Sequence, residues 1–193
     1  MSKTFSFLFL SVLIFVLGCG RAKPTAPKLD PPSMAAKAVE LYDSNGNGKI
    51  DGGELDKTPA LKFALKEMDE DKDKALSANE IQKRLEAWQA SGITLTAPLF
   101  QCKIGGKMVK EGTMKLTPEP FLGETFPAAE GTFVNGACQP AAPNAGNYQA
   151  IPVGFYTVEV TSPEGSISNG QCGVEVFDDS RYFQNHGKYL LSE

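Results

Sequence analysis

The chain has 193 residues, with 19 Lys and Arg against 23 Asp and Glu, a net charge of −4, four Cys and a single His. Mild acidity without a basic patch or a phosphate-cradling glycine loop argues against nucleic acid as a partner. One His and widely spaced cysteines argue against zinc.

The N-terminus, MSKTFSFLFLSVLIFVLGCG, has one Lys, an apolar run over 5–17 and a small residue before Cys19. That run is too short for an ordinary membrane-spanning helix and suits a signal-peptide core. Val16-Leu17-Gly18-Cys19 resembles the bacterial lipobox, in which the Cys is acylated and becomes the first residue after cleavage. Leu17 stands where small residues are commoner, so an ordinary secretory signal or an uncleaved anchor is the alternative. Both alternatives place the mature chain outside the cytoplasm. The lipobox reading adds a lipid anchor at Cys19 and a membrane in the cell envelope. Residues 1–18 are then the signal, and the Pro-rich stretch over 19–32 is an extended tether, roughly 40 Å long at ~3.1 Å per residue. The remainder has length for one small helical module, over 33–92, and one sandwich of about a hundred residues, over 93–193.

Met34, Ala38, Val39 and Tyr42 form a helical stripe that leads into DSNGNGKIDGGE, residues 43–54. A twelve-residue loop wraps a hard cation when oxygen donors face inward at positions 1, 3, 5, 7, 9 and 12 around a sharp turn at 6. Asp43, Asn45 and Asn47 supply side-chain oxygens, Gly48 the turn, Lys49 its carbonyl with the ammonium pointing away, Asp51 a water-mediated contact and Glu54 a bidentate carboxylate. This is the pattern of an EF-hand loop, and the ion it implies is Ca²⁺.

Thr58-Pro59 follows closely, so the exit helix is short and a new one starts with Thr58 as N-cap and Pro59 at the first turn. Leu61, Leu65 and Met68 line its buried face. A second loop, DEDKDKALSANE over 69–80, offers Asp69, Asp71, Asp73, the Ala75 carbonyl, Ser77 and Glu80. It carries Lys74 where the pattern has Gly, which costs on the order of 1 kcal/mol in the left-handed region. Four carboxylates against three in the first loop offset part of that cost, so the order of affinities stays open. Ile50 and Leu76, both at position 8, are expected to pair the loops through a short strand. Ser77 and Glu80 form a capping box, and Ile81, Leu85 and Trp88 face the core from a last helix ending near Ser91-Gly92.

After Ile93 helical spacing gives way to short β-type runs: LFQCKI, KMV, GTMKLTPEP, GTFV, GFYTVEV and CGVEVF. Gly105-Gly106 marks a two-residue hairpin, and Tyr156, Val158 and Val160 alternate with polar residues as one buried strand face requires. The order of the strand before GGKMVKEGTMKLTPEPFLGE, then EGTFVNG and VGFYTVEV, resembles the carboxypeptidase regulatory-like, or transthyretin-like, sandwich of exported bacterial proteins. Residues 34 to about 177 are similar to exported bacterial lipoproteins that join an EF-hand pair to such a sandwich. The expected fold class is therefore α+β multidomain, a helical EF-hand pair followed by an antiparallel β-sandwich.

Cys102, Cys138 and Cys172 remain beside Cys19. By count, one disulfide with one further thiol is the default outside the cytoplasm, and three buried small apolar residues are the alternative. The first and late sandwich strands are neighbours in transthyretin-like topology, so the resemblance implies a Cys102–Cys172 bridge. No catalytic residues are assigned, because His186 lies in a polar segment and nothing near Cys172 lowers a thiol pKa. Phe121, Phe126, Phe155 and Tyr182 read as core. The resulting expectation is a non-enzymatic, envelope-anchored Ca²⁺-binding lipoprotein. Its alternative is a Ca²⁺-dependent adhesion or assembly module that grips an envelope protein or glycan through the sandwich.

Overall fold

The computed structural model describes residues 25–145, 149–177 and 188–192. The signal segment, Cys19, Tyr182 and His186 lie outside the described residues. Among the described residues, no helix is long and apolar enough to cross a membrane.

Helix α1 spans Pro31–Tyr42, with prolines at its first two positions, so it begins within the stretch expected to be tether. It is followed by β1 (Lys49–Asp51), the single turn α2 (Gly52–Leu55), α3 (Pro59–Met68), β2 (Ala75–Ser77) and α4 (Ala78–Ser91). Gly92 ends α4 in the left-handed conformation, at φ 70°. The Thr58 hydroxyl does not cap α3 as expected. It is buried and donates to the Glu54 and Leu55 carbonyls, at 3.2 and 3.4 Å, and so closes α2 from behind.

The strands that follow are β3 (Leu95–Thr96), β4 (Leu99–Ile104), β5 (Lys107–Met108), β6 (Gly112–Pro118), β7 (Ala129–Phe133), β8 (Ile151–Pro152), β9 (Gly154–Ser162), β10 (Gly165–Val176) and β11 (Lys188–Ser192). Gly105 and Gly106 join β4 to β5 with φ of 55° and 76°, the double positive φ that a tight hairpin turn needs. A four-stranded antiparallel sheet runs β10-β9-β6-β7, and a three-stranded sheet runs β11-β4-β5. Between the two lies a core of Phe100, Met114, Leu116, Tyr156, Val158 and Val174.

The expected fold class is corrected on two points. Strand outweighs helix, 39% against 29%, and the helices do not form a helical pair domain of their own. Their apolar faces share one core with Phe121, Phe155 and Phe177 of the β portion. Nor is the β portion a purely antiparallel sandwich, because β11 runs parallel to β4.

The physical reason lies at one end of the β9–β10 pair. Tyr156 and Val174 point into the inter-sheet core, while Phe155 and its register partner Glu175 face the opposite way, toward the helices. Four consecutive residues, Gly173 to Val176, are buried, so this end of the sheet is covered on both faces. Trp88 of α4 lies 4.7 Å from the Phe155 ring, and Phe121 bridges Phe155 to Tyr42 of α1 at 5.8 and 6.4 Å. A fully buried large side chain contributes roughly 1.5–3 kcal/mol, and this aromatic seam closes only when helices and sheet meet. The helices therefore form a layer on the sheet.

Candidate metal centre

Asp43 and Asp69 sit at the C-terminal ends of α1 and α3, and both accept backbone amides that fold over them. Asp43 Oδ1 accepts from Gly46 and Asn47 at 2.7 and 3.1 Å, and its Oδ2 from Gly48 at 2.7 Å. In the second loop Asp69 accepts from Asp73 and Lys74 at 3.1 and 3.0 Å. The turn at the sixth position is left-handed in both, with φ 83° at Gly48 and 68° at Lys74. Lys74 therefore adopts the conformation that its side chain disfavours.

The closing glutamates also match. Glu54 Oε1 accepts from the Ser44 amide, the Ser44 hydroxyl and the Asn45 amide at 2.8, 2.9 and 3.0 Å, and Oε2 from the Asp51 amide at 3.1 Å. Glu80 accepts from the amides of Glu70 at 3.0 Å and Ser77 at 2.8 Å, and from the Ser77 hydroxyl at 2.7 Å. Both residues are buried, at 5% and 6% exposure. The Asp51 amide, with Ser44 and Asn45, holds the Glu54 carboxyl below its ordinary range. Burial pushes Glu80 upward, but the Ser77 and Glu70 donors outweigh it and leave that carboxyl lowered too. Each loop thus folds a buried carboxylate back over its own backbone.

Between the loops, β1 and β2 pair with Ile50 opposite Leu76, both fully buried. Asn45 Oδ1 and Asn47 Oδ1 each accept the amide two residues on, at 3.0 and 2.8 Å, and the Asn47 amide group donates to Asp51 at 2.7 Å. Asp69, Asp71 and Asp73 each offer a carboxylate oxygen, all within 4.8 Å of one another, and form a group able to hold a metal ion. Ala75 accompanies them on β2, its amide donating to Asp73 at 2.9 Å.

The Lys49 ammonium points away from its own loop. It crosses to the other loop, where it pairs with Asp73 Oδ2 and lies 3.4 Å from Asp71 Oδ2. The Asp73 hydrogen bond raises the Lys49 pKa, and Lys49 in turn lowers that of Asp73. The crossing follows from strand pairing, which sets Lys49 opposite Ser77 and brings its stem over the acidic loop.

Sequence reasoning missed the groups that tie this centre to the sheet. Tyr42, next to Asp43, donates to Glu119 Oε2 at 2.6 Å. Burial raises the Glu119 pKa, partly countered by that hydrogen bond, and Oε1 has no hydrogen-bond partner among the described residues. In α4, Arg84 donates through Nε and a terminal nitrogen to Glu175, at 2.6 and 2.9 Å, and Trp88 Nε1 adds a third bond at 2.8 Å. The one available sequence signal was Glu175 itself, a charge set inside the apolar run Gly173 to Phe177.

The cysteines do not meet the pairing expectation. Cys102 is on β4 and Cys172 on β10, strands of different sheets, and Cys172 is a thiol, so the Cys102–Cys172 bridge is not formed. Burial pushes the Cys138 thiol up to about 11 and raises that of Cys172. Far from the loops, the outer face of the four-stranded sheet carries a shallow polar concavity of about 460 Å³, with Thr113, Lys115, Glu130, Thr132 and Glu159 in its lining. Comparison of the chain with family models, curated proteins and solved structures gives no match.

Proposed function

We propose that the protein binds Ca²⁺ in the loops over 43–54 and 69–80, one ion in each, and uses it to rigidify the helical layer against the sheet. On the sequence evidence at Cys19, the same reading makes it a non-enzymatic lipoprotein of the cell envelope. The observation that carries the calcium reading is the convergence of Asp69, Asp71 and Asp73 in a loop whose twelfth residue is the buried Glu80. All the donors are hard oxygens, the ligand class that suits Ca²⁺. The first loop supports the second by repeating its hydrogen bonds position by position.

The residues divide the work. Asp43 and Asp69 organise the loop backbones. Asn45, Asn47, Asp71 and Asp73 provide the next side-chain oxygens, and Lys49 and Ala75 provide carbonyls. Asp51 and Ser77 would reach the ion through water, and Glu54 and Glu80 would close each shell. Outside the cytoplasm, affinities on the order of 10⁻⁴ to 10⁻³ M suffice for a structural ion.

Glu54→Ala and Glu80→Ala test the assignment one loop at a time. Each is expected to lower the Ca²⁺ bound per chain at equilibrium from two to one, as read by equilibrium dialysis with metal analysis. Two ions retained in either variant would refute the role of that glutamate.

A further inference from the structure

The second loop combines three clustered carboxylates with a cation supplied by the first loop. Asp69, Asp71 and Asp73 lie within 4.8 Å of one another, a spacing at which like charges repel. The Lys49 ammonium sits on two of the three. Its side chain is only about one-third exposed, at 35%, and Asp73 is similar at 36%. The backbone of Lys49 lies on β1, within the first loop, and is fixed by pairing with Ser77. One residue therefore offers its carbonyl to one proposed ion site and its charge to the other.

We infer that Lys49 is a tethered counter-cation of the second loop, which neutralises Asp71 and Asp73 when no divalent ion is bound and must leave them when one binds. This rests on the calcium reading above. Lys49 is then an affinity-setting residue. It relieves carboxylate repulsion in the metal-free loop, and it adds like-charge repulsion if it stays beside a divalent ion. Both effects weaken uptake at the second loop. The sequence pattern places only the carbonyl of this residue at the ion, and the β1–β2 register brings the ammonium across.

The test is a Ca²⁺ titration of the ¹⁵N-labelled full chain in detergent micelles, followed at two amides. The Lys74 amide donates to Asp69 and reports the second loop, and the Gly48 amide donates to Asp43 and reports the first. Lys49→Met should tighten the Lys74 midpoint by roughly three- to tenfold, the scale of a partly exposed charge pair. The gap from wild type should shrink sharply between ~20 and ~500 mM KCl, because salt screens the charge. Lys49→Arg, which keeps the charge, should behave as wild type. Equal Lys74 midpoints for Lys49→Met and wild type at low salt would overturn the inference while leaving the calcium reading intact. A gap that salt does not change would overturn it too, since lost packing of the stem would explain it. If neither amide responds to millimolar Ca²⁺ in any of the three proteins, the calcium reading fails and the inference with it.

Discussion

Glu175→Ala is expected to destabilise the protein by about 3–5 kcal/mol, the cost of breaking a buried ion pair by removing one member. Glu175 accepts two bonds from Arg84 and one from Trp88, and the side chains of the ion pair are 1% and 6% exposed. Without the carboxylate, the guanidinium loses two hydrogen bonds and the indole N–H loses one, beside the Phe177 ring, whose centre lies 5.2 Å from the guanidinium. Urea unfolding followed by far-UV circular dichroism checks the value, read as a lower midpoint at unchanged slope. The double variant Arg84→Met/Glu175→Leu should recover most of the loss, because an apolar pair of similar volume needs no compensation for desolvation. A loss below about 1 kcal/mol in Glu175→Ala would place this contact in the class of exposed pairs and remove it from the helix–sheet junction.

The second large effect concerns Gly173, where α3 meets β10. A Cβ built there would lie 2.1 Å from Ala60 N and 2.4 Å from Pro59 C, both backbone atoms that cannot rotate aside. Gly173→Ala must therefore push the start of α3 off the sheet, at a cost of about 2–3 kcal/mol, toward the upper end for overpacking. Hydrogen exchange locates the damage. The α3 amides should lose protection, while those of the β6–β7 pair, at the edge of the sheet far from β10, should retain it. Uniform loss across both regions would show that the contact does not belong to α3 docking.

How much of this was legible in the sequence follows from the range of each interaction. The turn geometry of the two loops was legible, since the hydrogen bonds that Asp43, Glu54, Asp69 and Glu80 accept all close within twelve residues. The buried faces of α4 and β9 were legible for the same reason. Ile81, Leu85 and Trp88 follow the helical period, and Tyr156, Val158 and Val160 follow the strand period. What failed was long-range. Periodicity names a buried face without naming what covers it, so the helical stripe could not show that Phe121, Phe155 and Phe177 close its core. Phe155, out of phase with its alternating neighbours, was the available hint that this strand end is covered on both sides. The parallel pairing of β11 with β4 joins segments some ninety residues apart. Tyr42 and Glu119 are 77 residues apart, and Arg84 and Glu175 are 91 apart, distances at which spacing carries no signal. The Lys49 crossing is a different case, because the ligand pattern turns the ammonium away from its own loop without naming where it lands.

Calcium uptake by the two loops is proposed to stabilise the helical layer. Calorimetric titration of the metal-free chain with Ca²⁺, paired with melting curves in excess Ca²⁺ and in excess chelator, tests it most directly. Two ions per chain and a higher melting temperature with calcium are expected, since each filled site adds about 2.7 kcal/mol at a hundredfold excess over Kd. No uptake at millimolar Ca²⁺, with a melting temperature unchanged by chelator, would contradict it.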